Sequence, residues 1–270
     1  VALTFDDGPH AQNTPRLLDI LKQRGIKATF FVIGKNAAEY PDILKRIAEE
    51  GHEIANHSFT HPILASLSES GLREQLEKTH QAVLKESGVT MKVMRPPYGA
   101  LSEPQRRWTN ANFGYKIILW DVDPLDWKFR DAARVETEIL SRTRPGSIIL
   151  THDIHKTTVD AMPSTLDALA AKGFKFVTVS ELLAMDRPAT PRTQDPKPTV
   201  KAPAKAPASE KKTASAAHAK PAESSSKKPS SPEKSASKGP AGTPAKTAQQ
   251  PAQLTQEELR KKWLEGTRAR

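Results

Sequence analysis

Cysteine is absent from the 270 residues. That excludes a disulfide framework, a thiolate metal site and a cysteine nucleophile, and leaves the redox compartment undecided. No apolar run approaches the ~20 residues of a membrane-spanning helix, so no transmembrane segment is expected. Aromatic residues fail beyond Arg187: residues 188–270 hold one, Trp263, together with 12 of the 22 prolines. A stretch without large apolar side chains cannot bury a core. Phrases such as KPTVKAPAKAPASEKK therefore predict a disordered Lys/Ala/Pro/Ser-rich linker over 188–252. At its end Thr255 and Glu258 make a capping-box pattern and Leu259 and Trp263 share a helical face, which predicts a short helix in 253–270. An initiating Met and a signal peptide are missing too; the chain opens on a strand pattern, so an N-terminal segment is expected to precede it.

Charge divides at the same place. Residues 1–187 carry 24 Lys and Arg against 24 Asp and Glu, whereas residues 188–270 carry 17 against 7, so the formal +10 belongs to the tail. The first 187 residues read as one domain. Short β-branched or apolar runs recur at Val1–Phe5, Ala28–Ile33, Glu53–Asn56, Lys92–Arg95, Lys116–Trp120, Ser147–Thr151 and Lys175–Thr178. Helical patterns alternate with them, at Pro15–Arg24, Lys35–Glu50, Ser68–Ser87, Glu103–Asn112, Asp131–Arg144, Val159–Lys172 and Val179–Met185. Alternation at this spacing predicts an α/β fold of parallel strands with crossover helices, a distorted seven-stranded (β/α) barrel, with an open doubly wound sheet as the alternative.

Residue types that do chemistry collect just after the strands, where a parallel barrel opens onto one face. Asp6 and Asp7 follow the first strand, His57 and His61 the third, Arg95 and Tyr98 the fourth, Asp121, Asp123 and Asp126 the fifth, and His152 and His155 the sixth. Two adjacent carboxylates at the end of an apolar strand repel unless cations separate them. In HSFTH, His57 and His61 stand four apart, so on one helical turn both imidazoles can meet a single cation. Such a pair alone more often marks a solvated helix face. With the Asp pair on the same barrel face, metal ligation becomes the better reading: two His and one carboxylate leave positions open for water and substrate. The second Asp is then available as a base, and the alternative for both is a turn before Gly8-Pro9.

These residues resemble the polysaccharide deacetylase family with the NodB-homology domain, carbohydrate esterase family four. Its five motifs stand in order as TFDDGP (Thr4–Pro9), HSFTH (His57–His61), RPPYG (Arg95–Gly99), DPLDW (Asp123–Trp127) and LTH (Leu150–His152). The resemblance covers residues 1 to about 185 and implies a distorted (β/α) barrel that removes acetyl groups from N-acetylglucosamine units of peptidoglycan or chitin-type glycans. O-acetylated xylan is the alternative substrate, and a non-catalytic carbohydrate-binding barrel the alternative class. By resemblance Asp6 is the general base, Asp7, His57 and His61 bind a divalent ion, Zn2+ first and Co2+ as an alternative, and Arg95 holds Asp6. His152 is the implied general acid with Asp126 as its partner, the Tyr98 N–H helps hold the oxyanion, and Trp127 and Leu150 wall the acetyl pocket. A secreted, periplasmic or wall-associated location is implied as well. The basic tail then reads as a spacer or as an adhesive for anionic wall polymers, and its lack of aromatics argues against nucleic acid. His10 reads as a loop residue near the site, His155 as a sugar contact or a helix cap, and His52 and His80 as exposed helix or turn residues. Asp121 and Asp123 compete with Asp126 for His152.

Overall fold

The computed structural model describes residues 1–185; the expected linker and terminal helix lie outside the described residues. Six strands form one fully parallel sheet: β1 (Ala2–Asp6), β2 (Thr29–Val32), β3 (Glu53–Asn56), β4 (Val93–Met94), β5 (Lys116–Ile117) and β6 (Ile148–His152), in the order β5-β4-β3-β2-β1-β6. Around it run α1 (Asn13–Gln23), α2 (Gly34–Glu39), α3 (Pro41–Glu49), α4 (Glu69–Ser87), α5 (Glu103–Phe113), α6 (Asp126–Phe129), α7 (Ala132–Arg142), α8 (Lys156–Ala171) and α9 (Val179–Met185).

The chain beyond β5 links the two edges of this sheet. Ile118 donates its N–H to the Met94 carbonyl in β4 at 2.8 Å, yet four residues later Val122 bridges Ile149 and accepts the Leu150 N–H, also at 2.8 Å, on the far side of β6. The sheet therefore curls into a distorted barrel, as the alternation predicts, and the open sheet is excluded. Strand number differs from the expected seven. Around Val177 the expected last strand makes only one bridge, to Ala2, with the Val177 N–H donating to Val1. β1 is already paired with β6 on one side and, from Thr4 onward, with β2 on the other, so only its first residues remain open.

Register sorts side chains to two faces. Asp6 pairs with both Phe31 and His152, Thr4 pairs with Leu150, and Phe31 pairs with Ala55, so these point into the barrel. Its floor is apolar: Ala2, Phe31, Ala55, Val93 and Ile118 pack with Val179 and Leu182, with which α9 plugs the end. Leu3, Phe5, Phe30 and Ile149 face outward into the larger core under the helices. α4 starts on Ser68, whose hydroxyl accepts the Gly71 N–H at 3.2 Å, and stops at Gly88 with φ 70°. The expected helix over Lys35–Glu50 is two, broken at Tyr40 (φ −123°, ψ 61°), because Pro41 disfavours helical geometry in the residue before it.

Candidate active site

Asp6 ends β1 inside the barrel and is 2% exposed. Its Oδ1 accepts from Arg95 Nη1 at 2.6 Å, and the same nitrogen donates to Thr4 Oγ1 at 2.8 Å. Arg95, fully buried, leaves β4 with its guanidinium carbon 4.1 Å from the Phe31 ring centroid and Nη2 donating to the Leu119 carbonyl at 3.1 Å. This ion pair answers the question of how Asp6 tolerates Asp7: one carboxylate is neutralised from below. Removing one partner of a buried pair costs about 3–5 kcal/mol, because the other charge is left stranded.

Asp7 lies past the strand in the left-handed region (φ 76°), which turns its carboxylate away from Arg95. Its Oδ1 is buried without a well-aligned donor, 3.4 Å from His57 Nε2 and 3.3 Å from His61 Nε2. The three ligand atoms lie within 4.8 Å of one another. An orphaned carboxylate oxygen facing two imidazole nitrogens fits a divalent cation with positions left open. Both imidazoles are also oriented from behind: His57 Nδ1 donates to the Arg95 carbonyl at 2.7 Å, and His61 Nδ1 lies 3.2 Å from the Tyr98 hydroxyl. Burial, with the His57 charge next, pushes His61 down to about 4, so its ring is uncharged near neutral pH and one ring nitrogen is free to act as a ligand. Burial pulls His57 down, but Asp6 and Asp7 outweigh it and hold His57 above its ordinary value. Burial raises Asp7, but the His57 hydrogen bond and the charges of His152, His57 and His61 outweigh it and hold Asp7 far below the usual range.

HSFTH is not a helical turn, contrary to the expectation. Ser58 (φ 65°) and His61 (φ 60°) are both left-handed, and the loop is tied by side chains instead. Asn56 Oδ1 accepts the Ser58 N–H at 2.9 Å, Ser58 Oγ accepts the His61 N–H at 3.1 Å, and Gln75 Oε1 on α4 accepts the N–H groups of Phe59 and Thr60 at 2.9 Å each. The two imidazoles meet by backbone reversal, with ring centroids 4.9 Å apart.

Across the barrel mouth, His152 ends β6 and its Nδ1–H donates to Asp126 Oδ1 at 2.8 Å. Asp126, fully buried at the start of α6, also accepts from the His152 N–H (2.8 Å), the Thr158 hydroxyl (2.7 Å) and the Trp127 N–H (2.9 Å). Burial works against both charges, but the pairing wins: His152 is pushed up to about 10 and Asp126 is held below its usual value. The imidazole pairs with Asp126 and not with Asp121 or Asp123, which accept the Ile148 N–H and the Leu125 N–H respectively, each at 2.8 Å.

Tyr98 is left-handed (φ 60°) and edges onto His61, Trp127 is half-buried beside Asp126, and Leu150 is buried two residues before His152 on the same side of β6. Every residue singled out by the motifs thus reaches one end of the barrel. His10 accepts the N–H groups of Gln12 and Asn13 at Nδ1, both at 3.2 Å, which makes it a turn residue of the first loop. His155 precedes α8 without capping it through its side chain; its ring lies 5.8 Å from that of His152. His52 and His80 are not exposed: His52 is 8% exposed and accepts the Ala28 N–H at 3.1 Å, and His80 lies 2.9 Å from the Tyr115 hydroxyl. Asn56, Gln75 and Asp153 are site-building residues outside the motifs, and Thr4, though it opens the first motif, is given no role by it. The signal for Thr4 and Asn56 was a polar side chain inside an otherwise apolar strand, whereas nothing local marks Gln75.

Residues 1–118 match the polysaccharide deacetylase family. A peptidoglycan-N-acetylglucosamine deacetylase of Bacillus cereus is 44% identical over 187 residues, covering 67% of this chain and 67% of that protein. The peptidoglycan-N-acetylglucosamine deacetylase PgdA of Listeria monocytogenes is 43% identical over 182 residues, 67% of this chain, but the match spans only 38% of that longer relative. Among solved structures, the peptidoglycan deacetylase PdaC from Bacillus subtilis matches with a TM-score of 0.65 at 39% identity, covering 68% of this chain and 89% of that one. Fold, site geometry and these likenesses agree: the chain belongs to the polysaccharide deacetylase family.

Proposed function

We propose that the chain hydrolyses the acetamide of N-acetylglucosamine units in peptidoglycan or a chitin-type glycan, with Asp6 as general base and His152 as general acid. The observation that carries this reading is the division of labour at the barrel mouth. Asp7, His57 and His61 point one set of ligand atoms at a common centre, while Asp6 and His152 are each clamped by a separate buried partner. When held by that triad, a divalent ion, Zn2+ first and Co2+ as an alternative, would polarise the acetamide carbonyl and lower the pKa of water from about 16 toward about 7. Asp6, held in place by its 2.6 Å ion pair with Arg95, takes the proton of the attacking water as its oxygen adds to the carbonyl carbon. His152, charged through Asp126, gives its proton to the sugar nitrogen as the C–N bond breaks, leaving acetate and a free amine. The Tyr98 N–H supports the oxyanion, and Trp127 and Leu150 wall the methyl.

Relatives that act on peptidoglycan support a wall-associated or extracellular site of action, and we assign the basic tail a contact with anionic wall polymers. Acetate release from N-acetylglucosamine oligomers, peptidoglycan and acetylated xylan tests the reading and ranks the substrates. Release should vanish on chelation, return with Zn2+ or Co2+, and fall about 10²–10⁴-fold in Asp6→Asn and His152→Ala. A metal-replete chain that frees no acetate from any of the three sinks it.

A further inference from the structure

α6 is a single turn that carries more than Asp126. It is bounded by left-handed residues at both ends, Leu125 (φ 58°) and Arg130 (φ 51°), and its carbonyls at Leu125 and Asp126 accept the N–H groups of Phe129 (3.1 Å) and Arg130 (3.3 Å). Because the Asp126 carboxylate is fixed to His152 and to Thr158 of α8, the far end of that turn is fixed relative to the reacting atoms. Phe129 sits there 39% exposed, one of three large apolar side chains left at the surface among the described residues. The other two, Leu84 and Met185, stand on helices α4 and α9 away from the motifs. The guanidinium carbon of Arg134 lies 3.4 Å from the Phe129 ring centroid, and Arg130 is exposed beside it. Neither guanidinium is ion-paired among the described residues. The acid of this stretch, Asp131, caps α7 by accepting the Arg134 N–H at 3.0 Å. Inward of them the His155 ring reaches His152, and burial together with the Arg130 charge holds His155 down to about 4, a neutral ring that can both donate to and accept from a hydroxyl.

An aromatic ring and two guanidiniums on and just after the turn that carries Asp126, with a neutral imidazole against the His152 ring, match a particular ligand chemistry. Guanidiniums bind carboxylates by paired, charge-assisted hydrogen bonds, and an aromatic face takes the C–H face of a sugar ring. We propose that Phe129, Arg130, Arg134 and His155 form a subsite for a carboxylate-bearing sugar adjoining the unit that loses its acetyl group. This rests on the deacetylase reading above and narrows it. Strands of peptidoglycan carry a lactyl carboxylate, or a stem peptide ending in one, on alternate sugars, whereas chitin-type strands carry none; the subsite selects the former.

Two tetrasaccharides test this: one of alternating N-acetylglucosamine and N-acetylmuramic acid, and one of N-acetylglucosamine alone. In wild type, kcat/KM for acetate release should favour the acidic tetrasaccharide, with a preference that declines as NaCl rises. Arg130→Asn, an uncharged residue that tolerates the left-handed conformation, should lower kcat/KM about tenfold more on the acidic substrate than on the neutral one, the order of one charge-assisted hydrogen bond. The loss should sit in KM, and Arg130→Lys should recover part of it. Equal effects on both substrates, or no effect on either, overturn the subsite. Release from neither tetrasaccharide instead overturns the deacetylase reading, and calorimetric binding of the same pair to the full chain and to Arg130→Asn then decides the subsite by the same difference.

Discussion

Asp126 is a carboxylate whose oxygens are already committed to four donors, so it cannot itself take a proton from substrate. Its influence passes through His152. With the imidazole pushed up to about 10, the charged acid form persists across neutral pH and is lost only as pH rises through that value. Asp126→Asn removes the largest cause of the rise and leaves burial, which acts the other way, so the alkaline limb of kcat/KM should move to lower pH. The rate at neutral pH should drop about 10²–10⁴-fold, since the amide also fails to hold the imidazole's hydrogen at Nδ1. A pH–rate profile for wild type and variant checks both; an alkaline limb that stays in place would contradict the assignment.

At the scale of elements, the site depends on loops leaving strands at unusual angles. Asp7, Ser58, His61 and Tyr98 are all left-handed, and each brings a side chain back over the barrel mouth. The first of these loops is packed against Asp153, which is fully buried beyond β6 and accepts the hydroxyl of Thr14 on α1. A Cβ on Gly8 would stand 2.5 Å from Asp153 Oδ1 and 2.7 Å from its carboxyl carbon, so the loop has no room for any other residue. Gly8→Ala should therefore destabilise the fold by about 1–3 kcal/mol and displace Asp7, lowering bound metal along with activity. Urea unfolding and metal content measure the two effects. In the double variant Gly8→Ala/Asp153→Ala the stability costs should be less than additive, because the second change removes the obstruction.

Over the whole molecule, charge and catalysis occupy different parts of the chain. Residues 1–187 balance 24 positive against 24 negative side chains, while residues 188–270 carry 17 against 7. Retention of the full chain on isolated wall fragments should accordingly fall steeply with added NaCl, while acetate release from soluble oligomers changes far less over the same range. Retention indifferent to salt would remove the electrostatic role of the tail. No described helix is long and apolar enough to cross a membrane, so the described residues offer no spanning helix that would hold the domain at a surface.

The alternation of apolar runs and helical patterns by itself determined the parallel α/β order, because buried parallel strands need short, nearly continuous apolar stretches and crossover helices need a 3.6-residue period. Residue type and position after each strand likewise marked Asp6, Asp7, His57, His61, Arg95, Asp126 and His152, since strand ends of a parallel barrel share one face. Tertiary structure alone decided the rest. The link from β5 to β6 that curls the sheet, the reduction of the seventh strand to one bridge, and the choice of Asp126 over Asp121 and Asp123 all depend on contacts between residues distant in sequence. So does the path of HSFTH, read locally as a helical turn but held in a loop by Asn56 and by Gln75, which lies 15 residues beyond Thr60. Local pattern records which face a side chain must take. It does not record which partner from elsewhere in the chain will satisfy a buried donor or acceptor, and at this site those partners set the geometry.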